Sequence, residues 1–173
     1  MARRDDDEAD EPAKKKEKLH SPALIWCLLL TICWGGVFGV YFIAKLVQTT
    51  QFLLALNVES RQQRAVTSEL TRGGVITLIV LYSFLLVFAL LTFIGGIGLV
   101  RRGGFGATLA MYCPGAAVLF ALGGVVAEIF FIRGSSQFVM HLLGLLLTFV
   151  LGLALCVFNC WVLNDRKNTK VLK

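Results

Sequence analysis

The segment GVITLIVLYSFLLVFALLTFIGGIGLV, residues 74–100, contains no charged side chain. An α-helix needs about 20 residues to cross about 30 Å of hydrocarbon, so this segment is long enough to span a bilayer. Three further apolar runs, each bounded by charge or glycine, occupy residues 23–44, 107–132 and 138–163. The pattern predicts an all-α integral membrane protein whose four transmembrane helices form an up-down bundle.

We place the spans at about residues 22–47, 73–100, 107–132 and 138–163, within a transmembrane domain covering residues 22–163. The composition agrees, since 57% of the 173 residues are hydrophobic and only 16% are charged. A mean hydropathy of +0.75 excludes an ordinary soluble domain. The net charge of +6 does not indicate a nucleic-acid partner, because the basic residues flank the apolar runs, where headgroup contacts are expected.

The distribution of basic residues predicts the orientation. Twelve of the 17 Lys and Arg residues fall in the two tails and the second short connection, so both termini are expected in the cytoplasm of a cell-membrane protein. The first apolar run is too long for a signal-peptide core and is interpreted as an uncleaved anchor. The tails, residues 1–21 and 164–173, are strongly charged, and the first is expected to be disordered.

Basic residues next to the membrane are candidates for contacts with anionic lipid headgroups. The turn RRGGFG joins spans two and three, and a basic block precedes span one; the candidate residues are Arg101, Arg102, Lys14, Lys15 and Lys16. An ordinary positive-inside arrangement without lipid preference explains the same charges equally well.

Residues 48–72 form the only sizeable outer connection, and they contain neither Gly nor Pro. Apolar residues spaced among Gln, Glu and Arg predict a helical hairpin that extends span one and returns to span two. The segment lacks cysteine and an Asn-x-Ser/Thr acceptor, so no disulfide or N-linked glycan is expected there. It is either a partner-binding hairpin or a connector.

Small residues spaced four apart predict where helices approach closely in lipid. Stripes of this kind occur in spans one and four, and the predicted packing residues are Gly35, Gly39, Gly144 and Gly152. The five cysteines include no C-x-x-C pair and are interpreted mainly as small packing residues. The two histidines are predicted on opposite sides of the bilayer, so we expect no haem, metal or other cofactor.

Glu128 is the only acid inside a predicted span, and a carboxylate there normally has a partner or a task. Lys45 on span one and His141 on span four are expected at nearly the same depth. The three residues are therefore a candidate intramembrane polar cluster. Glu128 paired with Lys45 would fix the order of the helices, whereas Glu128 with His141 could relay protons or bind a small cation.

No nucleophile, metal or cofactor constellation indicates an enzyme. The sequence favours a small non-enzymatic accessory, assembly or scaffold subunit that acts through helix packing with lipid, with other membrane proteins or with itself. The alternative is a small transporter or channel component that uses Glu128.

Overall fold

The computed structural model describes residues 22–59, 67–101, 104–131 and 138–165. Predictions for residues 1–21, which include Lys14, Lys15 and Lys16, for residues 60–66 and 166–173, and for Arg102 lie outside the described residues. The described chain is helical throughout, apart from Arg101 and Asp165 at helix ends. All four described helices are long and apolar enough to cross a membrane, so the all-helical fold is confirmed and the helices have the length and composition that a multi-pass membrane protein requires.

The four helices are α1 (Pro22–Glu59), α2 (Thr67–Val100), α3 (Gly104–Phe131) and α4 (Phe138–Asn164). Proline suits the first turn of α1 because the N–H it lacks has no intrahelical partner there. Both α1 and α2 run past the predicted span limits, since the polar residues that follow span one contain no helix breaker. Arg101 is exposed directly after the last residue of α2.

The helices pack in the ring order α1, α2, α3, α4, and α1 closes the ring against α4. The main apolar core is built by buried residues of all four helices, including Phe38, Leu85, Ala121 and Leu145. A second, smaller core lies at the other end and includes Leu24, Leu99 and Val162. Burying these side chains leaves large apolar residues exposed along the outer faces of the helices, as a lipid solvent requires.

Helices α1 and α2 are longer than α3 and α4. Tyr41 of α1 lies beside Gly144 of α4, only six residues after α4 begins, whereas α1 continues for 18 residues beyond Tyr41. At 1.5 Å per residue, α1 therefore extends about 18 Å past the start of α4. The part of α1 that projects corresponds to the first part of the predicted outer segment.

Candidate functional site

Polar side chains from three helices meet inside the bundle, near the level at which α3 ends and α4 begins. Oε1 of Glu128 in α3 lies 2.9 Å from Nδ1 of His141 in α4. The hydroxyl oxygen of Tyr82 in α2 lies 3.3 Å from the same carboxylate oxygen and 3.4 Å from the same imidazole nitrogen. We call these three residues the His–Glu cluster. Glu128 and Tyr82 are fully buried and His141 is 7% exposed.

The cluster forms because each member lies on the buried face of its helix. Side chains three, four or seven residues apart share a helix face, and each member has buried neighbours at these spacings. The buried neighbours are Leu78 and Leu85 for Tyr82, Ala121 and Gly124 for Glu128, and Leu145 and Thr148 for His141. Gly124 brings α3 close to α4, since a Cβ there would lie 3.1 Å from the side chain of Leu145.

The geometry requires one hydrogen between Oε1 of Glu128 and Nδ1 of His141, whichever of the two groups carries it. The two facing atoms both carry lone pairs when deprotonated, so a 2.9 Å contact between them needs a hydrogen in the middle. The hydroxyl of Tyr82 donates its own hydrogen to the carboxyl oxygen. These interactions connect α2, α3 and α4 through a single carboxylate oxygen.

Lys45 lies apart from this contact. Its Nζ is 3.2 Å from Oε1 of Gln48 and 5.8 Å from the ring centroid of Tyr41, both on α1. Within the described residues, the only ion pair of Glu128 is the one with His141. The structure thus brings together two of the three predicted cluster residues, and it gives Lys45 a partner on its own helix.

Two atoms of the cluster lack a hydrogen-bond partner in the part of the chain that the structure describes. They are Oε2 of Glu128 and Nε2 of His141, and the hydroxyl of Tyr41 is buried without a partner as well. Tyr41 lies against Gly144, one turn from His141, so α1 also places a polar atom near the cluster. A buried polar group without a hydrogen-bond partner costs about 1–3 kcal/mol of folding free energy. The cluster therefore has hydrogen-bonding atoms that the described residues do not use.

A second polar cluster lies toward the other end of the bundle and is centred on Asn159 of α4. Its Nδ2 donates to the carbonyl oxygen of Ala110 at 2.8 Å and to Oγ1 of Thr31 at 3.1 Å. Sγ of Cys27 donates to Oδ1 of Asn159 at 3.1 Å, and Thr31 donates to the carbonyl oxygen of Cys27. We call Cys27, Thr31, Ala110 and Asn159 the Asn159 cluster. It ties α1, α3 and α4 together.

The position of Asn159 follows from a proline in the neighbouring helix. Pro114 lies inside α3 and has no backbone N–H, so the carbonyl oxygen of Ala110 four residues earlier loses its usual partner. Asn159 supplies a side-chain donor to that oxygen. Irregular backbone in a membrane is tolerated where neighbouring helices satisfy the freed groups.

The predicted packing glycines occupy different environments. A Cβ at Gly35 would lie 2.6 Å from the backbone nitrogen of Phe93, so α1 and α2 are in backbone contact there. At Gly152 the nearest atom, in Val118, would be 3.0 Å away, and at Gly144 a Cβ would overlap the hydroxyl of Tyr41. A Cβ at Gly39 would meet no atom within 4 Å.

The five cysteines are all free thiols. Cys27 and Cys113 are buried, and Cys33 is exposed. Cys156 donates through Sγ to the carbonyl oxygen of Met111 at 3.8 Å, which links α4 to the turn around Pro114. Among the described residues, no three His, Cys, Asp or Glu side chains are grouped as a metal site would require.

Sequence reasoning did not identify Tyr41, Tyr82, Pro114 or Asn159. Tyr82 shows a usable signal, because it falls on the same helix face as the apolar residues that pack inward. Asn159 was detectable as a lone amide in an apolar span, where polar residues face other helices. Pro114 indicates a site only when it is considered together with Asn159, because the proline frees a carbonyl oxygen that the amide can bond. The sequence does not reveal that α3 and α4 pack against each other at this level.

An apolar side groove of about 430 Å³ lies between α1 and α4. Its walls include Val37 and Leu30 from α1 and Leu151 and Phe158 from α4. The indole nitrogen of Trp34, another wall residue, is buried without a partner within the described chain. The groove lies at the level of the apolar core, between the two polar clusters.

No family model matches this sequence, and neither the curated proteins nor the solved structures contain a significant match to it.

Proposed function

We propose that this chain is a small non-enzymatic membrane subunit that assists the assembly or scaffolding of other membrane proteins through its helix surfaces. Its helices run alternately up and down, and both termini lie in the cytoplasm. Pairs of contacts support the alternation: Gly35 of α1 faces Phe93 of α2, whereas Phe42, further along α1, faces Tyr82, earlier in α2.

The packing of the interior is the observation that most favours a structural role. Between the His–Glu cluster and the Asn159 cluster, apolar side chains such as Trp34, Phe38 and Leu85 fill the core. The buried hydroxyls of Thr92 and Thr148 at these levels donate to carbonyl oxygens of their own helices. A transport path would need polar groups continuing through this region. The two clusters instead join the helices at both ends, as expected for a rigid scaffold.

The side groove between α1 and α4 is the surface we assign to a partner helix. Its walls combine the small residues Cys33 and Ala154 with large apolar side chains, and interfaces between membrane helices depend on close packing of apolar surfaces. Arg101, together with the flanking basic segments, would hold the subunit against anionic lipid headgroups.

Site-specific photo-crosslinking in the native membrane tests this proposal. A crosslinker at Val37, 66% exposed in the groove, is expected to capture a defined membrane polypeptide or a second copy of the chain. The same crosslinker at Val87, 49% exposed on α2 outside the groove, is the matched control and should capture lipid alone. Lipid adducts at both positions, with the protein purifying alone from mild detergent, would contradict an accessory role.

A transporter or channel component is the second candidate, and the buried carboxyl of Glu128 with its unpaired Oε2 favours it. Vesicles that contain only this protein provide the test. A proton- or cation-dependent flux that disappears in Glu128→Gln, with thermal stability unchanged, would replace the accessory role with transport. We expect no such flux, because the apolar core separates the two polar clusters.

A further inference from the structure

A polar stripe on α1 leads from the His–Glu cluster toward the end of that helix. Tyr41, Lys45 and Gln48 follow each other at spacings of four and three residues, so they share one helix face. Lys45 lies over the ring of Tyr41 and bonds to Gln48. All three side chains are half-buried, so the stripe reaches the surface of the protein.

Apolar side chains close the opposite side of the cluster. Phe38 and Phe42 of α1, Leu85 of α2 and Leu145 of α4 belong to the core on which the cluster rests. Within the described residues, this apolar core therefore separates Glu128 and His141 from the Asn159 cluster, and the polar stripe on α1 lies on the other side. That side is the one toward which α1 projects past the start of α4.

The charge of the cluster depends on its protons. A Glu128 carboxylate facing a neutral His141 imidazole carries a net charge of −1 inside the bundle, and a second proton on the imidazole makes the pair neutral overall. An uncompensated charge in a low-dielectric interior is unfavourable, so proton uptake stabilises the site. Among the described residues, the titratable or charged groups that interact electrostatically with Glu128 are Tyr41 and Lys45 from α1 and Tyr82 from α2.

We propose that the His–Glu cluster is a proton-binding site that exchanges protons with one side of the membrane only, the side toward which α1 extends beyond Lys45. A hydronium ion gives its proton to a ring nitrogen of His141, water is released, and no bond between heavy atoms changes. The unpaired Nε2 is the free basic position when Nδ1 carries the hydrogen that faces Glu128. A subunit with such a site senses pH on one face of the membrane and conducts nothing.

Nuclear magnetic resonance of the imidazole nitrogens measures the proton binding directly. The chain has two histidines, so the full-length His20→Asn protein, labelled with ¹⁵N-histidine in lipid nanodiscs, reports on His141 alone. Between about pH 5 and pH 9, the range in which an imidazole titrates, we expect its signals to move with pH. Signals that stay constant across this range would overturn the site.

Two variants separate proton binding from structural support. Glu128→Gln removes the counter-charge and should displace the pH response of the His141 signals. Tyr82→Phe keeps the aromatic ring and removes only the hydroxyl that touches both partners, so a smaller displacement is expected. If Glu128→Gln fails to fold, Tyr82→Phe and the parent protein decide the question. An unchanged midpoint in a folded Glu128→Gln protein would contradict the pairing.

A pH jump on one side of vesicles with uniformly oriented protein tests the access route. The infrared carboxylate bands of Glu128, assigned by their loss in Glu128→Gln, shift when the facing imidazole gains its proton and so follow the response. We expect a response only when the jump is on the side of the α1–α2 connection, slowed several-fold in Lys45→Met and unchanged in Lys45→Arg. Equal responses from both sides would overturn one-sided access. None of these readouts depends on a partner, so they can fail while the crosslinking experiment succeeds.

Discussion

Asn159 and Pro114 form a pair whose energetics can be measured. Asn159→Ala removes the donor that satisfies the carbonyl oxygen of Ala110, and leaving such an acceptor unpaired costs about 1–3 kcal/mol. Pro114→Ala restores a backbone N–H to that carbonyl. We therefore expect Asn159→Ala to lower the thermal stability in detergent clearly in the parent protein and much less in the Pro114→Ala background. Equal losses in both backgrounds would show that the amide does not compensate for the proline.

Glu128 is expected to couple energetically more strongly to His141 than to Lys45. The carboxyl contacts the imidazole at 2.9 Å, whereas Lys45 bonds to Gln48. Residues that share a hydrogen bond give interaction energies of about 0.5–3 kcal/mol in double-mutant cycles, and independent residues give values near zero. Cycles that combine Glu128→Gln with His141→Asn or with Lys45→Met, followed by unfolding in detergent, measure both terms. A larger coupling to Lys45 would restore the pairing predicted from the sequence.

Helix α1 approaches α2 through one glycine of its Gly35/Gly39 pair. A Cβ at Gly35 would overlap the α2 backbone, which cannot move aside as a flexible side chain can, so Gly35→Ala should cost about 1–3 kcal/mol. Gly39→Ala is the matched control, since the added methyl group meets nothing within 4 Å and alanine favours a helix by about 1 kcal/mol over glycine. We expect the two melting temperatures to move in opposite directions. Equal destabilisation would mean that the pair acts as a single packing motif.

Helix number and approximate limits were predictable because long apolar segments in lipid must satisfy their backbone hydrogen bonds internally. The lengths of α1 and α2 were harder to predict from the sequence, because a polar helical extension has no hydropathy signal. Only the lack of Gly and Pro indicated that the helices continue. The sequence did not predict which polar side chains contact each other. Glu128 and His141 were expected at one depth, but rotation about each helix axis decides which side chains touch. That rotation turned Tyr82 toward the carboxyl and left Lys45 beside Gln48.

The molecule as a whole has unequal ends. At one end, α1 and α2 extend beyond the other two helices, and the His–Glu cluster lies beneath them between α2, α3 and α4. At the other end, the Asn159 cluster joins α1, α3 and α4. A buried polar cluster near each end fixes helix order and register more firmly than apolar packing does, because in lipid the packing of apolar side chains expels no water. The outer faces and the side groove are then free for association without loss of the fold.

The orientation of these ends in the membrane is the remaining large-scale prediction. Twelve of the 17 basic residues fall in the two tails and the second short connection, so we expect these segments in the cytoplasm and the end with the longer helices facing outward. Reporter fusions that are active only in the cytoplasm should be active at both termini and inactive when inserted within residues 60–66. The same orientation would direct proton access at Lys45 to the external medium. A cytoplasm-specific reporter that is silent at the C-terminus but active at the N-terminus would contradict the up-down arrangement, because an even number of spans returns the chain to the side on which it began.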